Sequence, residues 1–386
     1  MDLKTIFGQH DEKTLAQLDN VAQNAERVAL MADGHVGFVM PIGGVAAYRN
    51  KVSPIGVGVD IACGNCAIKT DLRAEDLADL DDIADEIINT IALGVGGTNT
   101  SPHAPTGDPL FQSDAWSVVP TKHQRALVDR SRKQLGTTGG GNHYIDVFSD
   151  EDGTVWVGVH FGSRALGFQM AHSFVALAQG LAWSDRPNMN VEVLLDLGTP
   201  LGQEYWAAMG LAGEYAYAGR QWVTRTVVAL LGGIEIDMVH NHHNYAWQEV
   251  HGDEELTVVR KGATPAFPGQ RGFVGGSMGD KSVILRGTDE ASDLTLQSTV
   301  HGAGRVMGRM AAKGKWKKGR CIRPGRVSQE DMDAATRGVV LRGGDVDEAP
   351  QVYRKLDDVL NAQPGIEVLH TLTPLIVCMA PSRTRA

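Results

Sequence analysis

Long apolar runs, excess basic charge, cysteine and linker-like stretches are all scarce in this 386-residue chain, and each absence closes off a class of protein. No apolar stretch approaches the roughly 18 to 20 residues that a membrane span needs. The opening Met1-Asp2-Leu3-Lys4 lacks the basic-then-apolar order of a secretory leader, so a cytoplasmic protein with no membrane partner is the expectation. Four cysteines (Cys63, Cys66, Cys321, Cys378) are too few for a disulfide framework, which makes any special cysteine a ligand or nucleophile. Lys and Arg number 36 against 46 Asp and Glu, a net charge of −10. That balance argues against coating nucleic acid by bulk electrostatics and leaves only a local basic surface open. There is no Pro- or Ser-rich linker, low-complexity block or internal repeat. With 42% hydrophobic and 21% charged residues, the chain reads as one large globular α+β domain over residues 1–386, with mixed β-sheets and surrounding helices.

What the chain does have is glycine, 46 residues or about 12% against a usual value near 7%. The excess clusters beside polar residues, at Gly139-Gly140-Gly141, Gly275-Gly276 and Gly302-Ala303-Gly304, where a backbone without Cβ can approach a ligand closely. Leu77, Leu80, Ile83 and Ile87 recur at helical spacing and predict a helix over about 74–92, and a second long helix is expected over 204–231. Thr154–His160, Val191–Leu197, Leu256–Arg260 and Ser282–Arg286 read as strands. Asp347-Glu348-Ala349-Pro350 reads as a helix start, with Gly365 closing the helix. From Lys313 to Arg326, seven Lys or Arg surround Trp316; this is either a solvated loop or a nucleic-acid surface with an aromatic for stacking.

Several of the 13 histidines stand at the end of an apolar run, followed by Gly, Asn or Phe-Gly-Ser: Asn142-His143, His160-Phe161-Gly162-Ser163-Arg164, His242-His243-Asn244 and His301-Gly302. Val57-Gly58-Val59-Asp60-Ile61-Ala62-Cys63 adds an acid and a thiol three apart. Any one of these histidines is ordinarily structural. Together they make a metal-site vocabulary suited to Mn, Fe, Co or Zn, with more ligands than one tetrahedral ion takes, as two ions sharing a bridging ligand would require. Arg164, Arg260, Lys261 and Arg305 adjoin these segments and offer phosphate-binding cations. The Cys63–Cys66 spacing of C-x-x-C also admits redox or zinc-knuckle chemistry, although no second such pair follows.

Val57-Gly58-Val59-Asp60 with Cys63-Gly64, Gly141-Asn142-His143, His160 with Gly162-Ser163-Arg164, His243-Asn244, Arg260-Lys261-Gly262-Ala263, Gly276-Ser277-Met278-Gly279, His301-Gly302-Ala303-Gly304-Arg305 and Asp347-Glu348-Ala349-Pro350 resemble, in order and approximate spacing, the motif series of the RtcB RNA ligase family. The match runs from about residue 31 to 379, with 381–386 as an extra tail. The resemblance implies an RtcB-like fold with its metal site in a central cleft. It implies an enzyme of RNA repair or tRNA splicing, dependent on two Mn²⁺ ions and GTP. Such an enzyme joins RNA bearing a 2′,3′-cyclic phosphate or 3′-phosphate to a 5′-hydroxyl end through a histidine–GMP intermediate, with an archease-type activator among its partners.

By motif position, His301 matches the guanylylated histidine. Asp60, Cys63, His143, His160 and His243 match the ligands of the two metals, with Cys63 as the bridge. Asn142, Asp146, Arg164, Asn244, Gly276, Ser277, Met278, Ser282, Gly302, Ala303, Gly304 and Tyr353 match nucleotide-contacting positions, Arg164 as a phosphate-binding arginine. The chain departs from the pattern where family members end in Lys-Gly with the lysine at the guanine: Ala380 and Pro381 stand there, with Arg383 or Arg385 as substitutes in the tail. Asp146 replaces a usual Glu. These departures leave two alternatives open: a divergent paralogue with altered nucleotide specificity or cyclic-phosphate hydrolysis only, and a non-catalytic RNA-end binder.

Overall fold

In the computed structural model, which describes residues 3–317 and 320–381, the glycine-bounded β-rich segments assemble into two main sheets and three two-stranded ones. The largest sheet has eight strands, and four of them lie side by side in the order Tyr144–Ser149, Thr154–Phe161, Gly64–Arg73, Glu235–His242, each antiparallel to its neighbour. The sheet curls until its two ends meet. Asn241 Nδ2 donates to the Arg271 carbonyl (3.1 Å) and Asn65 Nδ2 to that of Phe273 (2.7 Å). A second sheet of five strands is built from Lys4–Ile6, Arg27–His35, Ile42–Tyr48, Glu254–Lys261 and Asn244–His251. Helices flank these sheets, so the expected α+β architecture holds.

The run Gly64–Ile68 is buried on both faces rather than on alternate residues, because both faces of the strand are covered. Ala67 packs with Phe148 and Phe273 on one side; Cys66 and Ile68 pack with Val223 and Val227 on the other. Val223 and Val227 belong to the helix Pro200–Leu230, whose buried Tyr205, Ala208, Ala212, Tyr215, Gly219 and Val223 recur every three or four residues and make one continuous stripe. Its start is fixed locally. Thr199 Oγ1 accepts from Gly202 N (3.2 Å), and Pro200 occupies the first turn, where its missing N–H is not needed.

Some expected elements take another form. The helix expected over about 74–92 becomes a 3₁₀ turn, Ala74–Asp76, and a helix, Leu80–Thr90, capped by Asp79. The expected strand Val191–Leu197 reduces to Leu195–Asp196, paired with Lys51–Val52, because Asp196 Oδ1 accepts from Gly198 N (2.8 Å) and turns the chain into the long helix. The helix expected from Asp347 breaks into two 3₁₀ turns, Val346–Glu348 and Pro350–Val352, before the helix Leu356–Asn361. Pro350 is the cause: it pushes Ala349 out of the helical region to φ −59°, ψ 153°. The basic stretch forms a short hairpin, Lys315–Lys317 against Arg320–Arg323; the Trp316 side chain and residues 382–386, Arg383 and Arg385 included, lie outside the described part.

Candidate active site

Antiparallel order brings the expected metal ligands to one end of the four adjacent strands. His143 precedes the first residue of its strand, His160 sits one residue from the end of its own, Cys63 precedes Gly64, and His243 follows His242. In register, Tyr144 faces His160, and Gly64 faces both Phe161 and His242. Sequence separations of up to 180 residues therefore collapse into one row. His243 N and Asn244 N donate to the Cys63 carbonyl (2.8 and 3.2 Å), which locks the two loops together.

Two ligand groups result, each with donor atoms within 4.8 Å of one another: Asp60, Cys63 and His143, and Cys63, His160 and His243. Cys63 belongs to both. Its Sγ lies 3.3 Å from His160 Nε2 and 3.6 Å from His143 Nε2, and His143 Nε2 is 3.0 Å from Asp60 Oδ2. The Asn142 carbonyl lies 3.1 Å from His160 Nδ1 and so aims the opposite nitrogen at the cluster. Glycine makes the approach possible. A Cβ on Gly162 would lie 2.3 Å from Asp60 Oδ1, and one on Gly139 would lie 2.0 Å from His143 Nδ1.

The protonation states follow from burial. Burial pushes His160 and His243 well below the usual imidazole range, with His143 and His301 adding to the effect at His160 and His301 and His160 at His243, so both rings are neutral and have a lone pair to give. Burial alone would raise Asp60, but hydrogen bonds from His143 and Cys63 and the charges of His143 and Arg164 outweigh it and hold the carboxyl below its ordinary value. Burial and then the Asp60 charge push the Cys63 thiol well up. Its proton must therefore leave when a cation binds. Thiol, carboxylate and neutral imidazoles around a shared sulfur fit two divalent first-row ions.

The row of imidazoles continues to His301. Ring centroids step from His143 to His160 (5.4 Å), to His243 (5.1 Å) and to His301 (4.9 Å). His301 arrives there because Ser298–Val300 pairs with Ala263–Pro265, and Ala263 N donates to the His243 carbonyl (3.1 Å). Behind it lies Asp33, fully buried in the strand Arg27–His35. Asp33 Oδ2 accepts from the backbone N–H groups of His301 (3.0 Å) and Gly302 (3.3 Å). The same oxygen is 2.6 Å from His301 Nδ1, close enough for an ion pair but not aligned as a hydrogen bond. A proton on Nδ1 would face Asp33 and leave Nε2 as the free nitrogen.

His301 and His160 border a cavity of about 280 Å³ whose wall is the Gly275–Met278 loop, the Gly302–Gly304 loop, Asn142, Tyr144, Asp146, Arg305, Glu348 and Tyr353. Across the cluster, Asp60 and Arg164 border a second cavity of about 540 Å³. The ligand row thus separates two spaces.

The family model described as tRNA-splicing ligase RtcB matches residues 14–380. The chain belongs to the RtcB family. It is 33% identical over 381 residues to the RNA-splicing ligase RtcB of Escherichia coli K12, covering 92% of this chain and 90% of that protein. It is also similar to the tRNA-splicing ligases RtcB of Archaeoglobus fulgidus (32%, covering 86% and 82%) and Thermococcus kodakarensis (29%, covering 98% and 92%).

Of the nucleotide positions that the RtcB resemblance implies, Asn142, Asp146, Gly276, Ser277, Met278, Gly302, Ala303, Gly304 and Tyr353 share the smaller cavity. Three do not line it. Ser282 lies beneath the loop, where its Oγ accepts from Gly276 N (3.1 Å). Asn244 ties loops together, accepting from Gly262 N (2.7 Å) and donating to the Asp60 carbonyl (3.3 Å). Arg164 faces the second cavity. Two cations expected at phosphate are used elsewhere. Arg260 is fully buried against Glu249 and Ser298, and Lys261 donates to the carbonyls of Phe38, Met40 and Ile55. Arg305 does line the smaller cavity, held by Glu348 and Tyr353.

Asp146 is buried in this wall with Oδ1 unpartnered, and burial pushes its carboxyl well up. Among the described residues no lysine lines the cavity; the last strand contributes Val377 and Met379, and Ala380 and Pro381 face a neighbouring groove. Sequence reasoning missed Asp33 and Arg220. Asp33 had a signal, an acid ending an apolar run before Gly, the same context as the chosen histidines. Arg220 is fully buried on the apolar stripe of the long helix and donates to the carbonyls of Ala62 (2.8 Å) and Phe161 (2.7 Å) and to His240 Nε2 (2.9 Å), with His242 Nδ1 also 2.9 Å away. It braces the backbone on either side of the ligand row.

Proposed function

We propose that the chain is an RNA ligase that joins RNA ending in a 3′-phosphate or 2′,3′-cyclic phosphate to a 5′-hydroxyl end, with GMP carried from GTP on His301. Asp60, Cys63, His143, His160 and His243 would hold two Mn²⁺ ions, which when bound supply charge to offset the phosphates and polarise their P–O bonds. The observation that carries this reading is the imidazole row ending on His301, at the mouth of a glycine-walled cavity, with Cys63 common to both ligand groups.

The protein's own groups have defined tasks. His301 Nε2 attacks the α-phosphorus of GTP; a P–N bond forms, the bond to the bridging oxygen breaks and pyrophosphate leaves. Asp33 holds the Nδ1 proton and balances the charge that the ring acquires. The small residues of the Gly275–Met278 and Gly302–Gly304 loops would leave room for the nucleotide, and the Gly276 and Gly302 N–H groups, taken by Ser282 and Asp33, fix the two loops. Next, an oxygen of the RNA 3′-phosphate displaces the histidine and takes the GMP. The 5′-hydroxyl oxygen then attacks that 3′-phosphorus, a phosphodiester forms and GMP departs. A cyclic end must first be opened by water.

Incubation with radiolabelled GTP and Mn²⁺ is expected to label the protein and leave His301→Ala unlabelled; equal label on both would overturn the assignment of the nucleophile. A second reading, relaxed base choice, is favoured by the lysine-free cavity wall and by Asp146 in place of the usual Glu. The same assay with ATP, CTP and UTP decides it, because strict GTP use would dispose of that reading.

A further inference from the structure

The second cavity is lined by Asp60 and Arg164 from the ligand row and by Val59, Arg130, Lys133 and Phe168. It shares Val59 and Phe168 with an adjoining cavity of about 490 Å³ bordered by Phe38, His172 and Arg186. Together they make one trough leading away from the metal-ligand row. Its chemistry is the inverse of the chain's. In a protein of net charge −10, Asp60 is the sole acid along it, and Arg130, Lys133 and Arg186 have no carboxylate partner among the described residues.

Two phenyl rings stand in this trough, Phe38 at 55% exposure and Phe168 at 52%. Single exposed apolar side chains need no explanation, but these are held in place. Phe168, on the helix Arg164–Ala178, lies against His172 with centroids 4.0 Å apart. Phe38 rides a loop clamped from two sides. Gln17 exchanges a reciprocal pair of hydrogen bonds with Gly37 (2.7 and 2.9 Å), and the buried Lys261 ammonium takes the carbonyls of Phe38 and Met40 (2.7 and 3.1 Å). The next residue, Val39, is a β-branched residue at φ +58°, a conformation that persists only where surroundings enforce it. A strained loop fixed by a buried cation holds an aromatic ring toward solvent.

We infer that Phe38 and Phe168, with His172 behind Phe168, form a nucleobase-stacking shelf for single-stranded RNA entering or leaving the metal-ligand row, with Arg130, Lys133 and Arg186 following its phosphates. Aromatic faces spaced along a cationic, acid-poor groove are how proteins hold single strands without reading their sequence. The inference rests on the ligase reading for its ligand class and adds where the strand lies.

The test uses the full chain and two RNAs of about 12 nucleotides, within the usual range of site sizes. One ends in a 3′-phosphate and one begins with a 5′-hydroxyl, each with 2-aminopurine near that end. Wild type is expected to quench the 2-aminopurine of at least one RNA. Phe168→Ala should bind that RNA about tenfold more weakly with the quenching lost, Phe38→Ala should weaken it several-fold, and Phe168→Trp should restore both signals. Affinity within twofold of wild type for both alanine variants, with quenching intact, would overturn the shelf and leave the face to a protein partner. The two readings fail separately. A protein that stacks RNA but takes no GMP breaks the ligase reading alone, and one that takes GMP but ignores both alanine substitutions breaks the shelf alone.

Discussion

The two spaces that meet at the ligand row are built on opposite principles. The smaller is bordered by two glycine-rich loops and holds acids, Asp146 and Glu348, with Arg305 paired to Glu348, beside His301; the larger holds Arg130, Lys133 and Phe168 with Asp60 as its one lining acid, beside Arg164. Glycine-rich loops suit a ligand that must be held in one pose for chemistry, whereas exposed rings and cations with no carboxylate partner among the described residues suit a chain that must slide and leave. The ligand groups divide the same way: His160 borders the smaller space, Asp60 the larger, and Cys63 joins them.

The largest expected effect tests the inner side. Asp33→Asn preserves the shape around His301 but removes the carboxylate charge 2.6 Å from Nδ1. Replacing the orienting carboxylate of a serine-protease triad by its amide costs about 10⁴-fold in rate, and by that analogy GMP transfer to His301 is expected to slow by on the order of 10³-fold. The half-saturating GTP concentration should move little. Single-turnover labelling reads both, and a rate within tenfold of wild type would mean that Asp33 only anchors the Gly302 loop through its backbone contacts.

Metal content sharpens the division. Cys63→Ala removes the atom common to both groups and is expected to lower bound Mn²⁺ from about two ions to near none, while His143→Ala and His243→Ala each lose about one. Elemental analysis after dialysis measures this. Because His243 stands next to His301 and His143 next to Asp60, labelling of His301 should suffer more in His243→Ala. Equal loss in both variants would break the two-sided picture.

How much of this was legible in the sequence follows from range. Asp60 and His160 end apolar runs, His143 precedes one, and Cys63 and His243 stand beside glycine or asparagine, so these residues could be picked out as a set without coordinates. That they form two groups sharing one sulfur depended on strand order, which the sequence does not print. Arg260 and Lys261 looked like phosphate ligands by adjacency, but successive residues of a strand point to opposite faces and both faces here are buried. Arg164, expected at a phosphate, has φ at +57° just after the Gly162-Ser163 turn and lines the larger cavity, a placement its motif did not specify. The shelf was invisible, since Phe38 and Phe168 are distant in sequence and ordinary in context.

The smallest effect concerns Asp146, the one acid in the inner wall with an unpartnered buried oxygen among the described residues. Burial raises its carboxyl well above the ordinary 3.8, so the folded protein binds its proton more tightly than the unfolded chain does. Between the two values the folded state holds more protons, and stability therefore falls as pH rises through that window. Asp146→Asn removes the penalty. Its melting temperature should exceed that of wild type at pH 7, and the gain should shrink as pH falls toward 3.8 and vanish below it, where wild type is protonated in both states. A gain that is the same at both pH values would trace the effect to packing. An absent gain at pH 7 would mean that the inner wall solvates this carboxylate after all, and the inner space would then differ from the outer one in shape but not in its tolerance of unpaired charge.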